Sequence, residues 1–156
     1  MAEFTYRTPT DDDLSYLAAH LRPEDRRELI GMTGPNVEAE VMRCWRNSKA
    51  AYACYCDGVI ISAFGVIETN PILRHGIIWM LATAETAKHK IYTGKKTREG
   101  IRAFLHDWEY LYNYVDKGNN ATIAWLRWLG AVVHEPQPMG LYGLPYHLFE
   151  FFKELE

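Results

Sequence analysis

The apolar pattern predicts an α/β domain, and three stretches decide it. YLYNYV, at positions 110–115, is dense in aromatic and β-branched side chains and reads as a strand. ATIAWLRWLG follows after a turn, with Ile123, Leu126 and Leu129 about one helical turn apart and Gly130 at the stop. Upstream, two β-rich runs at 50–56 and 59–67 flank Asp57-Gly58, a dipeptide typical of two-residue hairpins. At 156 residues the chain is long enough to bury one two-layer core and short for two, so a single domain over 1–156 is expected.

The remaining elements follow in order. Residues 3–7 alternate and predict a first strand. Pro9, Thr10 and the acids Asp11 to Asp13 open a helix with negative charge at its positive end, and Leu14, Leu17 and Leu21 form its stripe. Arg22-Pro23-Glu24-Asp25 breaks that helix and starts a second, over 25–30, which Gly31 closes. Asn36 caps a third helix of about ten residues, with Val37, Val41 and Cys44 or Trp45 facing inward. Gly65, inside a strand, predicts a bulge or a close backbone approach. The run 76–84 is nearly continuous in apolar character, as in the middle of a sheet. A polar, basic stretch leads into a helix over about 95–108. Past the strand at 110–115, Asn120 can cap the short helix with its side-chain oxygen. AVV then predicts a strand, EPQPMGLYG a loop, and 145–152 the last strand.

Composition excludes several classes. A chain that is 48% hydrophobic and 24% charged is ordinary globular protein. Its net charge of −3 argues against a surface built wholly for nucleic acid. Three cysteines without framework spacing fit a reducing compartment. Cys54 and Cys56 share one strand face, too little for a zinc site without a second ligand pair, so no metal is expected. No segment approaches the ~18 apolar residues of a membrane span. The N-terminus lacks a basic region followed by an apolar one, so no secretory signal is expected.

The unit at 110–130 resembles the C-terminal half of the GCN5-related N-acetyltransferase (GNAT) superfamily. That pattern runs strand, Asn, three residues to Ala, an aromatic near the helix end, then Gly-Phe. Asn119 takes the Asn position, Thr122 that of Ala, Leu126 that of the family's Tyr, and Gly130-Ala131 that of Gly-Phe. The wording Tyr112-Asn113-Tyr114-Val115, Gly118-Asn119, Ile123, Leu126, Gly130-Ala131-Val132 and His134-Glu135 is similar to GNAT-like proteins of short-tailed, T-seven-like bacteriophages, which are internal virion proteins. The resemblance implies a single GNAT-like domain: a mixed twisted sheet of about six to seven strands flanked by helices, with an extra N-terminal helix.

It also says what a transferase requires. Family members hold the coenzyme A pyrophosphate on an Arg/Gln-x-x-Gly-x-Gly/Ala loop, where backbone N–H groups and a helix dipole face the phosphates. ETAKHKIYTGKKTREG, at 85–100, lacks that pattern. It carries charge instead: between positions 88 and 102, Lys88, Lys90, Lys95, Lys96, Arg98 and Arg102 stand against Glu99, a local +5. This run suits pyrophosphate, a nucleic-acid backbone or an acidic protein, or is simply a solvated basic face. Thr83, Lys88, Lys90, Lys95, Lys96, Arg98 and Asn119 form the cofactor-binding set the resemblance implies. For acid–base work the candidates are Glu68 and Glu85 at strand ends, and Tyr112 and Tyr114 as stand-ins for the missing helix Tyr. His134 and Glu135 follow on the next strand. The gap in which the family seats pantetheine would be lined by Trp79, Leu81, Tyr112 and Tyr114.

The reading expected from these residues is a phage-encoded virion or virion-assembly component with degenerate acetyltransferase machinery and no cofactor. The alternative is an acetyl-CoA-dependent N-acyltransferase acting on a host or phage protein amine. A third reading is an adaptor that docks a host protein through its basic segment or around Trp125 and Trp128. Expected partners are therefore phage or host proteins, with nucleic acid confined to 88–102 and no membrane. The expected location is the infected host's cytoplasm or the particle.

Overall fold

A computed structural model describes residues 1–154. The elements run β1 (Phe4–Tyr6), α1 (Asp11–Ala19), α2 (Pro23–Thr33), α3 (Val37–Asn47), β2 (Ala50–Cys56), β3 (Val59–Asn70) and β4 (His75–Ala82). A 3-10 turn (Ala84–His89) leads into α4 (Lys90–Asp107), then β5 (Tyr110–Asp116), α5 (Asn120–Trp128), β6 (Val132–Met139) and β7 (Leu144–Phe152). One seven-stranded mixed sheet has the order β1-β2-β3-β4-β5-β7-β6. Neighbours are antiparallel except β4 and β5, which run parallel.

Helices cover both faces. Leu14, Leu17, Val37, Val41 and Cys44 of α1 and α3 pack on Tyr55, Trp79 and Leu81. On the opposite face, Ile101 and Phe104 of α4 and Ile123 and Leu126 of α5 pack on Val66, Ile78, Leu111 and Val115. Successive strand residues point to opposite faces, so the central strands β3 and β4 feed both cores. No helix among the described residues is long and apolar enough to cross a membrane.

Local chemistry explains most boundaries. Thr10 and Asp13 form a reciprocal capping box at α1, and the Asn36 side chain caps α3. Asp57 and Gly58 take positive φ of 50° and 83°, the left-handed pair a two-residue hairpin needs. Gly65 marks a close approach: an added Cβ would lie 2.6 Å from the Ala50 carbonyl oxygen of β2.

Four expectations need correction. Gly31 does not close α2, which continues to Thr33 and ends at Gly34 with φ 99°. A Cβ at Gly31 would meet the Tyr146 hydroxyl at 2.0 Å, so this glycine admits β7 against the helix. α1 stops at Ala19, and Leu21 pairs instead as a lone antiparallel bridge with Thr83. α4 begins at Lys90 rather than near Lys95, continuing directly from the 3-10 turn, whose C-cap Lys90 is already helical. The EPQPMGLYG stretch is not all loop, since β6 runs through Pro136 and Pro138 to Met139. β6 is the sheet edge, where a proline without N–H loses no ladder bond.

Candidate active site

The parallel pair β4–β5 is zipped at one end and open at the other. Its register covers His75↔Tyr110, Gly76↔Leu111 and Ile77↔Tyr112, and no further rung forms. Asn113 stands at the fork. Its side-chain amide donates to the Ile78 carbonyl at 2.7 Å, and its oxygen accepts from the Tyr114 N–H at 2.8 Å. One amide side chain thus replaces the first missing rung.

Beyond the fork the edge of β4 is occupied at its far end as well. The Ala82 N–H donates to buried Asp25 at 2.9 Å, and the Ala82 carbonyl accepts from the Arg22 N–H at 2.9 Å. Antiparallel pairing with β3 alternates the direction of backbone groups residue by residue. Ile78 and Ala82 both direct theirs away from β3, so Met80 between them does too. Met80 is therefore a free rung with a satisfied rung on either side of it.

That rung opens on a cleft of about 920 Å³ between α4 and α5, lined by Met80, Lys90, Lys95, Arg98, Asn119 and Trp125 among others. Arg102 lines it too, and among the described residues no acid pairs with Lys90, Lys95, Arg98 or Arg102. Arg98 stacks over the Trp128 ring at 3.8 Å and donates to the Trp128 carbonyl at 3.2 Å, which holds its charge at the wall. Arg22 also reaches the cleft, but Asp25 and Glu24 neutralise it.

Of the expected cofactor residues, Lys90, Lys95, Arg98 and Asn119 line this cleft. Thr83, Lys88 and Lys96 do not. Thr83 is buried and caps the 3-10 turn, its hydroxyl accepting from the Glu85 N–H at 3.3 Å. Lys88 pairs with Glu85 at 3.1 Å and Lys96 with Glu99 at 3.3 Å. The Thr86 N–H bonds to the Thr83 carbonyl at 3.3 Å, so the turn engages the Glu85 and Thr86 N–H groups itself.

The expected acid–base residues are dispersed. Glu68 accepts from the Trp108 indole at 3.0 Å and from Lys49 at 3.2 Å, away from the cleft lining. Glu85 is held below the usual carboxylate range by its hydrogen bond to Lys88. Tyr112 and Tyr114 alternate with Leu111 and Val115, which face α4 and α5, so both rings lie on the opposite sheet face. The same alternation turns Trp79 and Leu81 into the α1–α3 core. Met80 faces the cleft in their place. His134 bonds to the Glu150 carboxylate, whose other oxygen accepts from the Tyr110 hydroxyl.

Glu28 of α2 was missing from the expected set. Its Oε1 accepts from the Asn119 side-chain amide at 3.0 Å and from the Asp116 N–H at 3.2 Å, where β5 ends. Burial pushes its carboxyl up to about 7 against the pull of those two donors. Neighbouring Asp25 is also raised by burial, although Arg22 pulls it down. The trace in the sequence is the three-residue spacing of Asp25, Glu28 and Gly31, which puts two carboxylates on the inner face of a helix.

Asn119 joins the two halves of this site. It is the cap of α5, accepting from the Thr122 N–H at 3.4 Å, while exposed Asn120 is the first helical residue. The neighbouring Gly130 ends that unit with φ 102°.

No family model and no curated protein matches the sequence. Solved structures do match. Spermidine N-acetyltransferase from Vibrio cholerae, in complex with CoA and spermine, superposes with a TM-score of 0.71 at 13% identity, over 96% of this chain and 95% of that one. A GNAT-family acetyltransferase from Streptococcus pneumoniae gives 0.63 at 16% identity, over 97% and 100%. A seven-stranded mixed sheet opening between two parallel central strands, with helices on both faces and this coverage, is the fold of the GNAT acetyltransferases.

Proposed function

We propose that the protein is an acyl-coenzyme-A-dependent N-acyltransferase, with the thioester arm in the α4–α5 cleft and the acceptor amine arriving from the α2 side. The free Met80 rung carries this reading: a paired sheet edge leaves one N–H and one C=O open at the floor of a basic cleft. Acetyl-coenzyme A, when bound, supplies the activated acyl group. Met80 offers its N–H and C=O to an amide-bearing arm as a strand would. Lys90, Lys95, Arg98 and Arg102 hold phosphate as point charges rather than through a backbone cradle. Glu28, half ionised near neutral pH, takes the proton from the acceptor ammonium at its carboxylate. Leu126, at the position of the family's Tyr, is buried and gives no proton.

The Vibrio enzyme's bound CoA and spermine support pairing coenzyme A with an amine on this fold. The virion-component alternative draws on the wording at 110–135, the order of elements and the phrase IIWMLAT, and the fold neighbours favour the transferase. The acceptor is an amine, from a protein lysine or a polyamine.

Calorimetric titration with acetyl-coenzyme A at low and at physiological salt tests this, followed by thiol release with spermidine and with lysine peptides. Binding is expected at low salt and weakens as salt rises, since exposed charges are screened over about 8 Å at physiological ionic strength. Absence of binding at low salt sinks the proposal. Binding without thiol release for either amine class leaves a coenzyme A carrier and removes the transferase.

A further inference from the structure

The 3-10 turn that leads into the cleft carries a second constellation. Cys56, at the end of β2, comes together with Glu85 and His89 of the turn, their ligand atoms all within 4.8 Å of one another. The Cys56 sulfur is 3.8 Å from His89 Nε2, and the Glu85 Oε1 is 3.5 Å from that same nitrogen. The Glu85–His89 contact is long for a hydrogen bond, which runs about 2.7–3.2 Å between nitrogen and oxygen, whereas the Cys56–His89 contact is within reach of a weak sulfur hydrogen bond. As edges of one tetrahedron they fit. Zinc–sulfur and zinc–nitrogen or zinc–oxygen bonds of about 2.3 and 2.0–2.1 Å put S···N near 3.6 Å and N···O near 3.4 Å.

We propose that Cys56, Glu85 and His89 form a divalent-metal site with zinc as its preferred ion, pinning the turn before α4 to the end of β2. Thiolate, imidazole and carboxylate together suit zinc better than magnesium or calcium, which take oxygen ligands. Water completes the fourth corner. The surroundings are those of a supported site. Lys88 engages the second oxygen of Glu85 at 3.1 Å, leaving Oε1 for the metal. Phe4 lies edge-on to the His89 ring at 5.1 Å and stacks on Tyr92 at 3.7 Å, which fixes the imidazole. Such outer contacts orient ligands and sharpen affinity. Cys56 is buried, whereas the side chains of Glu85 and His89 are 39% and 22% exposed, so an ion reaches the site from solvent. On binding, the Cys56 S–H bond breaks, the sulfur electron pair forms the metal–sulfur bond and one proton leaves to solvent. Thr86, Ala87 and Lys90, on and just after this turn, line the cleft, so the metal steadies its wall.

The test uses the full chain and cobalt(II) as a spectroscopic stand-in, with no acyl donor present. One equivalent of cobalt is expected to raise a thiolate-to-cobalt band in the near ultraviolet and tetrahedral bands in the visible, both abolished by added zinc. Cys56→Ser should remove the thiolate band, Glu85→Gln and His89→Gln should weaken binding about tenfold or more, and Cys54→Ser should leave the spectrum intact. Zinc should raise the melting temperature of the parent and not of Cys56→Ser, with circular dichroism confirming that each variant is folded. An absent band in the parent, a band that survives Cys56→Ser, or one lost equally in Cys54→Ser overturns the site. None of these outcomes depends on whether the protein transfers acyl groups.

Discussion

The Asn113 side chain donates to the Ile78 carbonyl at 2.7 Å where β4 and β5 part. One polar side chain on an otherwise apolar strand face decides how far the parallel pair zips. Asn113→Ala removes that donor and also frees the Tyr114 N–H. Leaving a half-buried carbonyl without its partner costs about 1–3 kcal/mol. Urea unfolding of the variant should report a loss in that range, and a loss below about 0.3 kcal/mol would show that the fork is held by other contacts.

Glu28 couples stability to pH. Its folded pKa, about 7, lies above the unfolded value near 4.5. Between those values the folded state keeps a proton that the unfolded state has lost. Stability therefore falls as pH rises from about 4.5 to 7 and stays low above it. In Glu28→Gln the side-chain oxygen still accepts from Asn119 and Asp116, and the ionisation is gone. The variant should be more stable than the parent at pH 8 by about 1–3 kcal/mol. The two should converge near pH 4. A constant difference from pH 4 to 8 would remove the assignment.

Under the proposed transfer chemistry, the same residue sets the activity profile. If Glu28 is the base, kcat/KM rises as pH passes through about 7, where its carboxylate forms. Glu28→Gln should lower kcat about 10²–10⁴-fold. Retained rate with an unchanged pH profile would transfer the role to another group.

The two asparagines of the α5 turn separate cleanly. Asn119→Ala should cost about 1 kcal/mol, since its oxygen caps the helix and its amide holds Glu28. Asn120→Ala, exposed at the first helical position, should change stability by less than about 0.3 kcal/mol. Equal losses in thermal denaturation would contradict this division.

The basic run divides by geometry in the same way. Lys90→Ala and Lys95→Ala should weaken acetyl-coenzyme A at low salt, because both line the cleft without an acidic partner. Lys88→Ala and Lys96→Ala, already paired with Glu85 and Glu99, should leave affinity within about twofold. Equal effects from all four lysines would mean a diffuse basic surface rather than a site.

Features governed by neighbours in the chain were legible in the sequence. The Asp57-Gly58 hairpin, the Asn36 cap and the strand at 110–115 with its following helix all follow from turn chemistry and periodicity. Tertiary contact decided the rest. Gly31 reads as a helix stop until Tyr146, 115 positions along, needs the space. The prolines of β6 read as loop until the strand is seen at the sheet edge. Strand parity, carried from the core contacts, sent Tyr112 and Tyr114 to one face and Met80 to the other. The Glu28 carboxyl is raised to about 7, and Cys56 meets Glu85 and His89, because desolvation and side-chain proximity depend on groups far apart in sequence. Periodicity along a chain encodes which face a residue takes, whereas pKa and coordination depend on what the fold brings opposite that face.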